Sequence, residues 1–286
     1  MRRAQRSRMK IAILLTLLFD DFHYVRQAEM LRNGWIVRSE AGWPGFPGAG
    51  WAKRMTFIRD GKDRVLRLSA STDGTRTDQA QICHERKYLE GTYAARVRFS
   101  DAPVSGPDGD QVVETFYMIS PLVAPMHPDY SEIDFEYLPN GGWSNEGPTM
   151  YGTTWETFSP EPNWKRDNDS HKTSGTRAGW RTLVARVTKE KVEYFIDGAP
   201  FAEHSGRVAP EVPMSINFNV WFIRNGLLKS SEPRTYEQDV DWVFFSRSLM
   251  TPEAVDKQVR GLRRKGVRFR DTVPARNPKL VSPCNF

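Results

Sequence analysis

Residues 131–137 read Ser-Glu-Ile-Asp-Phe-Glu-Tyr, with carboxylates at every second position, Glu132, Asp134 and Glu136, and apolar Ile133 and Phe135 between them. Successive side chains of a β-strand point to opposite faces, so this spacing predicts a strand with three acids on one face. Ile133, Phe135 and Tyr137 or Leu138 supply the opposite, buried face. The acid face must meet water, a cation or a polar ligand, because an unpaired buried charge costs too much.

Similar short runs extend on both sides. VLRLSAS (65–71), GTYAARVRFS (91–100), VVETFYMIS (112–120), PTMYGTTWET (148–157), RTLVARVT (181–188), KVEYFIDG (191–198), MSINFNVWFI (214–223) and DVDWVFFSR (239–247) all read as strands bounded by turn residues. VTKEKVEY and YFIDGAPF read as tight hairpins. No helical period shows between residues 55 and 246, and no internal repeat. The pattern predicts an all-β, two-sheet antiparallel sandwich or jelly roll. Two stretches differ. Residues 39–51, SEAGWPGFPGAGW, are Gly- and Pro-rich and predict a loop. Residues 251–265, TPEAVDKQVRGLRRK, open on Thr then Pro, an N-cap and first-turn pair. Ala254, Val255, Val259 and Leu262 make an apolar stripe, so one helix is expected to pack on the sandwich, followed by an extended tail. The expected division is a leader over 1–19, a jelly-roll domain over 20–246, and a helix with a basic tail over 247–286.

The formal charge of +6 hides an asymmetry: +5 over residues 1–10, +7 over 247–286 and −6 between them. Residues 101–150 hold nine Asp or Glu and no Lys or Arg. A nucleic-acid binder needs a basic face on the domain itself, so nucleic acid is not an expected partner. No apolar run approaches the ~20 residues of a membrane span, and stable membrane insertion is not expected. The basic start followed by IAILLTLLF (11–19) reads as an export signal or as a basic leader before an apolar first strand. Export to the outside of the cell is the favoured expectation. Cys83 and Cys284 either form one disulfide or stay as two thiols. The sequence Asn-Asp-Ser at 168–170 fits a glycosylation sequon.

The acid face admits several readings: a solvated edge strand, a calcium site, ion pairing with Arg86, Arg96 or Arg98, or catalysis. Calcium usually draws its ligands from a loop. Glycosidic cleavage needs two carboxyl groups flanking one bond, one anionic and one protonated. Neighbouring like charges raise the pKa of part of such a set and separate the two roles. The Cα atoms of Glu132 and Glu136 lie about 13 Å apart on a strand. Side chains leaning together bring the carboxyls towards the ~5–5.5 Å of a retaining enzyme, although spacing alone does not exclude the inverting geometry. A serine hydrolase has no Gly-x-Ser-x-Gly elbow here. His23, His84, His127, His171 and His204 are scattered without metal-ligand spacing, and no Gly-rich nucleotide loop occurs.

With these residues in place, the sequence resembles the family 16 glycoside hydrolases, the laminarinase and lichenase family. EIDFE matches that family's Glu-x-Asp-x-Glu signature in its form without an extra, bulging residue. GTYAARVRFS and VVETFYMIS resemble its strands beside the signature, KVEYFIDGAP its Val-Asp-Gly hairpin, PMSINFNVW its Asn-x-Trp strand and DVDWVFFS its closing strand. The likeness runs in order from about Asp20 to Ser246. It implies a β-jelly roll with a sugar cleft and a retaining endo-acting hydrolase of β-1,3- or mixed β-1,3/1,4-glucan. Glu132 would be the nucleophile, Asp134 its assistant and Glu136 the general acid/base. Asn219 and Trp221 match the family's cleft-lining pair, and Trp155 falls where relatives contact sugar. Tyr130, two residues before Glu132, is expected as a further sugar platform. For Trp143, cleft border and core packing are equally open, and Trp35, Trp180 and Trp242 are assigned to the core. No cofactor is required; a structural Ca²⁺ is a further implication, without named ligands. The expected partner is a polysaccharide, bound by a monomer. The sequence departs from the family at Phe116–Tyr117, where relatives often carry Phe-Trp, and in the loops 104–110 and 120–130. These departures bear on the substrate, as does the cleft border at 137–147. A transglycosylase and a non-catalytic carbohydrate-binding protein are the alternatives.

Overall fold

The computed structural model describes residues 16–51, 55–276 and 284. Two antiparallel sheets face each other. The front sheet runs Lys165–Ser174, Thr149–Ser159, Glu132–Leu138, Val112–Ile119, Met214–Phe222, Thr77–Tyr88 and Trp35–Val37. The back sheet runs Ala199–Ser205, Lys191–Ile196, Gly179–Val187, Gly91–Phe99 and Arg234–Ser246. Beyond Arg234–Ser246, Asp63–Thr72 and Met55–Asp60 extend one half, and Leu17–Asp20 with Phe269–Asp271 extend the other. Thr77–Tyr88 also pairs at its start with Ser71 and Thr72, which joins the two sheets. The expected all-β jelly roll is the observed fold.

The two-residue period of the strands builds the core. Ile133, Phe135, Phe116, Met118, Ile216 and Phe218 project from the front sheet, and Leu66, Leu68, Tyr93, Val97, Leu183 and Phe245 from the back. Phe116 stacks between Phe135 and Phe218, with ring centroids 6.1 and 5.1 Å away. Each fully buried side chain of this size contributes roughly 1.5–3 kcal/mol from burial. The hairpin at Asp197–Gly198 has φ of +51° and +84°, the positive pair that a two-residue turn of matching twist requires.

The C-terminal helix spans Pro252–Arg264, and the side chain of Thr251 accepts from the Ala254 N–H at 3.3 Å. Val255, Val259 and Leu262 pack on Leu17, Phe19, Ala94, Val184, Trp242 and Phe244, the outer face of the back sheet. This corrects the expected leader boundary. Leu17–Phe19 are not outside the domain: they form a paired, buried strand, with Leu18 in the inter-sheet core and Leu17 and Phe19 under the helix. A strand buried on both faces reads as a continuous apolar run. Residues 1–15 lie outside the described residues. No helix among the described residues is long and apolar enough to cross a membrane.

Several elements were not expected, among them the strands Trp35–Val37, Met55–Asp60, Thr77–Tyr88 and Phe269–Asp271, a short helix and an edge strand. The short helix Gln27–Arg32 buries only Met30, so it carries no period. Among the described residues the strand Lys165–Ser174 pairs only with Thr149–Ser159, and it is polar throughout, a charged edge that discourages further pairing. The sequon Asn168 lies on this edge strand. Trp180 is also reassigned. Leu183 and Ala185 face the core, so Trp180 projects from the other face, where Arg96 and Arg98 lie 4.9 and 5.1 Å from its ring centroid. Cys83 and Cys284 form a disulfide across 201 residues, with Cα atoms 6.1 Å apart. It ties the end of the tail to the front sheet.

Glu114 is fully buried with its Oε2 on the Ser100 N–H at 3.2 Å, and its Oε1 and the Gln238 Oε1 have no hydrogen-bond partner. Desolvation raises its pKa well above the usual carboxylate range. Between its unfolded and folded pKa the native state holds the extra proton, so stability falls as pH rises. Glu114→Gln is therefore expected to remain folded and to flatten that decline by up to about 1.4 kcal/mol per pH unit. Denaturant titrations of both proteins from pH 5 to 8 check this; parallel pH curves contradict it.

Candidate active site

The acid strand sits inside the front sheet, between Val112–Ile119 and Thr149–Ser159. Its register places Glu132 between Ile119 and Trp155, Asp134 between Tyr117 and Thr153, and Glu136 between Thr115 and Tyr151. One row further, Thr115 faces Asn219 and Val113 faces Trp221. All three carboxylates thus share the face turned away from the core. Glu132 is 9% and Asp134 4% exposed, and Glu136 is half-buried.

No Lys or Arg among the described residues pairs with this set. Arg96 bonds Asp241 at 2.8 Å and Arg98 bonds Asp239. Arg86 is buried, and its Nε has no partner. The pairing alternative for the acid face is therefore overturned. What replaces cations is neutral donors. Tyr130 Oη donates to Glu132 Oε2, and Trp155 Nε1 donates to Asp134 Oδ2 at 2.8 Å.

Desolvation raises all three pKa values, but unequally. For Glu132, bonds from Tyr130 and Asp134 oppose the rise, which stops at about 7. For Glu136, desolvation and the charge of Glu132 push it to about 8. Asp134 is raised well above the usual carboxylate range: desolvation, Glu132 and Glu136 all favour its neutral form, and its bond to Glu132 keeps the proton on Asp134. Glu132 alone of the two glutamates accepts hydrogen bonds that favour its anion, and Asp134 supplies one of them from its proton. That is the division of labour two-carboxylate chemistry requires.

The acids open on a cavity of about 280 Å³ whose walls include Thr115, Tyr117, Asn219, Trp221 and the segment Ala41–Pro44. Asn219 accepts from Thr115 Oγ1 at 2.5 Å and donates to Tyr117 Oη at 3.2 Å. Gln81 Nε2 donates to the same Tyr117 oxygen at 2.7 Å, and Arg38 Nη1 holds Gln81 Oε1 at 2.9 Å. Among the described residues no cluster of three or more His, Cys, Asp or Glu is placed to hold a metal ion.

The structure brings Glu132, Asp134, Glu136, Asn219 and Trp221 to one cavity, and Trp155 to its edge through Asp134. Tyr130 is corrected. It is only 2% exposed, packs edge-on to Phe158 with centroids 5.3 Å apart, and spends its hydroxyl on Glu132. It positions a carboxylate and offers no platform. Trp143 is exposed and stands 6.1 Å from Trp221, so it belongs to the cleft border. Two residues were missed as site residues: Tyr117, which shares the face of Thr115 by simple alternation, and Trp43, which sits in a loop where no periodicity points.

Compared by sequence, the chain matches no family model and no curated protein. Compared by structure, it is similar to a family 16 glycoside hydrolase from the mixed-linkage glucan locus of Bacteroides ovatus, in complex with its product, at 15% identity and a TM-score of 0.59, covering 79% of this chain and 98% of that one. A Bacillus licheniformis β-glucanase matches at 14% identity and a TM-score of 0.57, over 80% of this chain and 97% of that one. The κ-carrageenase of Pseudoalteromonas carrageenovora matches at 16% and 0.55, over 83% and 98%. The chain therefore has the jelly-roll fold of these glycoside hydrolases.

Proposed function

We propose that the chain is a retaining glycoside hydrolase that cleaves a β-glucan internally, at β-1,3 or mixed β-1,3/1,4 linkages. The observation that carries this reading is the set of three carboxylates on one strand face, unpaired with any described cation and graded in proton affinity. Glu132 attacks the anomeric carbon as an anion while Glu136 gives its proton to the departing glycosidic oxygen. The glycosyl ester on Glu132 is then released by water, whose proton returns to Glu136. Asp134 stays protonated, donates that proton in a hydrogen bond to the Glu132 carboxylate and so holds the nucleophile in place. The β-glucanases among the structural relatives support the substrate class; the κ-carrageenase shows that the fold serves other polymers as well. The disulfide supports an oxidising, extracellular site of action.

The test is reducing-sugar release from laminarin, lichenan, xyloglucan, agarose, carrageenan and chitin, with Glu132→Gln as blank. Release from laminarin or lichenan that is absent in the variant is expected. Binding without release would make the chain a carbohydrate-binding protein instead. The active protonation state, Glu132 ionised and Glu136 protonated, exists between the two pKa values. A bell-shaped kcat/KM profile with apparent limbs near 7 and 8 is expected.

Tyr117 has a specific place in this reading. Its oxygen accepts from Gln81 and Asn219, and its own proton has no acceptor among the described residues, so it is left for a sugar oxygen in the cavity. Tyr117→Phe is expected to lower kcat/KM about tenfold and, because it strands the buried Gln81 and Asn219 amide donors, to cost about 1–3 kcal/mol of stability. Unchanged kinetics would remove Tyr117 from the binding site.

A further inference from the structure

Two aromatic groups flank the carboxylates. Trp143 and Tyr151 stand against one another at 5.5 Å, with Trp221 6.1 Å from Trp143. On the other side Trp155, Phe158 and Trp164 form a triangle with centroids 5.8 to 6.3 Å apart. Trp43 joins the groups: its ring lies 6.5 Å from Trp221 and 5.7 Å from Phe158. Trp221 belongs to Met214–Phe222 and Phe158 to Thr149–Ser159. The acid strand and Val112–Ile119 lie between those two strands, so the Trp43 indole bridges directly across the strands that carry Glu132, Asp134 and Tyr117.

The base of this bridge is held firmly, and its tip is not. Arg38 Nη2 donates to the Trp43 carbonyl at 3.1 Å, Trp51 Nε1 to that of Gly42 at 3.0 Å, and Gln79 Nε2 to that of Pro44 at 3.3 Å. Gly45 has φ of +106°, and a Cβ there would meet Gln79 Oε1 at 2.2 Å, so the loop lies flush against that side chain. The indole itself is 58% exposed, with its ring against those of Trp221 and Phe158. The cavity beneath, about 280 Å³, is smaller than the ~300–1,000 Å³ of pockets for drug-sized ligands.

We propose that Trp43 is a specificity-determining roof: it admits an unbranched sugar chain over the carboxylates and excludes one with a side-chain sugar at the residue being cleaved. This rests on the glycoside-hydrolase reading of the site. A ring that gives its hydroxyl edge to the Tyr117 proton turns its C6 edge towards the indole above, and a sugar linked at O6 meets that indole. The two flanking groups leave the chain free to continue on either side.

The test compares a linear β-1,3-glucan with the same backbone carrying single β-1,6-linked glucose branches. Cleavage is followed by reducing ends, and binding by calorimetry in a Glu132→Gln background. The wild type is expected to prefer the linear polymer. Trp43→Ala is expected to narrow that preference by at least about tenfold through a gain on the branched polymer, with Trp43→Phe retaining it. Equal cleavage of both polymers by the wild type, or a Trp43→Ala variant that loses both equally or gains on neither, overturns the roof and leaves the hydrolase reading standing. Neither polymer bound or cleaved by the wild type overturns the roof, and the glucan reading falls with it where lichenan is not cleaved either.

Discussion

Glu132→Gln is expected to lower kcat on the order of 10⁴-fold or more while the protein folds as before. The amide keeps the shape of the carboxylate and removes the nucleophile. Its surroundings tolerate neutrality, because Glu132 already has a pKa raised by burial and its contacts come from uncharged Tyr130 and a protonated Asp134. Glu136→Gln fails differently. It removes the proton donor, so loss should be severe on a polymer and small on an activated aryl glycoside whose leaving group needs no proton. This contrast separates the two glutamates, which burial alone does not. Equal losses within tenfold for both, on both substrates, would contradict the assigned roles. Stopped and steady-state rates of the two variants on the polymer and on the aryl glycoside provide the comparison.

Asp110→Ala is expected to destabilise the fold by about 3–5 kcal/mol. Asp110 and Arg234 are both fully buried, joined through Nε–Oδ2 at 2.6 Å and Nη2–Oδ1 at 2.7 Å. Asp110 also accepts from the Leu228 N–H at 2.9 Å, and Arg234 holds the carbonyls of Leu228, Ser230 and Glu232. The pair therefore closes two loops on each other beside the end of the front sheet. Truncating the acid strands a buried guanidinium, which is far costlier than the pair is stabilising. A Tm lower by about 6–20 °C follows for a domain of this size. The double change Asp110→Leu with Arg234→Met should recover part of the loss, because it strands no charge. A single variant within about 1 kcal/mol of wild type would show that water or another group replaces Asp110.

Much of this molecule was legible because its chemistry follows the strand period. Alternation at 132–138 separates Ile133 and Phe135, in the core, from the three acids at the cavity. The same alternation at 214–222 places Asn219 and Trp221 together. Where burial departs from one-sided alternation, reading failed. Leu17–Phe19 are apolar on both faces because the helix covers the outer one, and so resemble an export segment. Lys165–Ser174 is polar on both faces because it is an edge. Trp180 looks like core until its parity is set against Leu183 and Ala185. Tyr130 has the parity of a cleft residue, yet it precedes the strand and turns its hydroxyl back onto Glu132. Trp43 was invisible for a different reason: its position depends on Arg38, Trp51 and Gln79 holding a loop, contacts that no local pattern encodes.

The central claim is that Glu132 becomes covalently glycosylated. Incubation with a 2-deoxy-2-fluoro glucan oligosaccharide bearing a good leaving group, followed by peptide mass mapping, tests it most directly, since the fluorine slows release of the glycosyl-enzyme more than its formation. A mass gain of one fluoro-oligosaccharyl group, the reagent less its leaving group, on the peptide carrying Glu132, and none in Glu132→Gln, is the predicted result. Turnover of the polymer with no adduct and inverted product stereochemistry, or an adduct carried by Glu136, would contradict it.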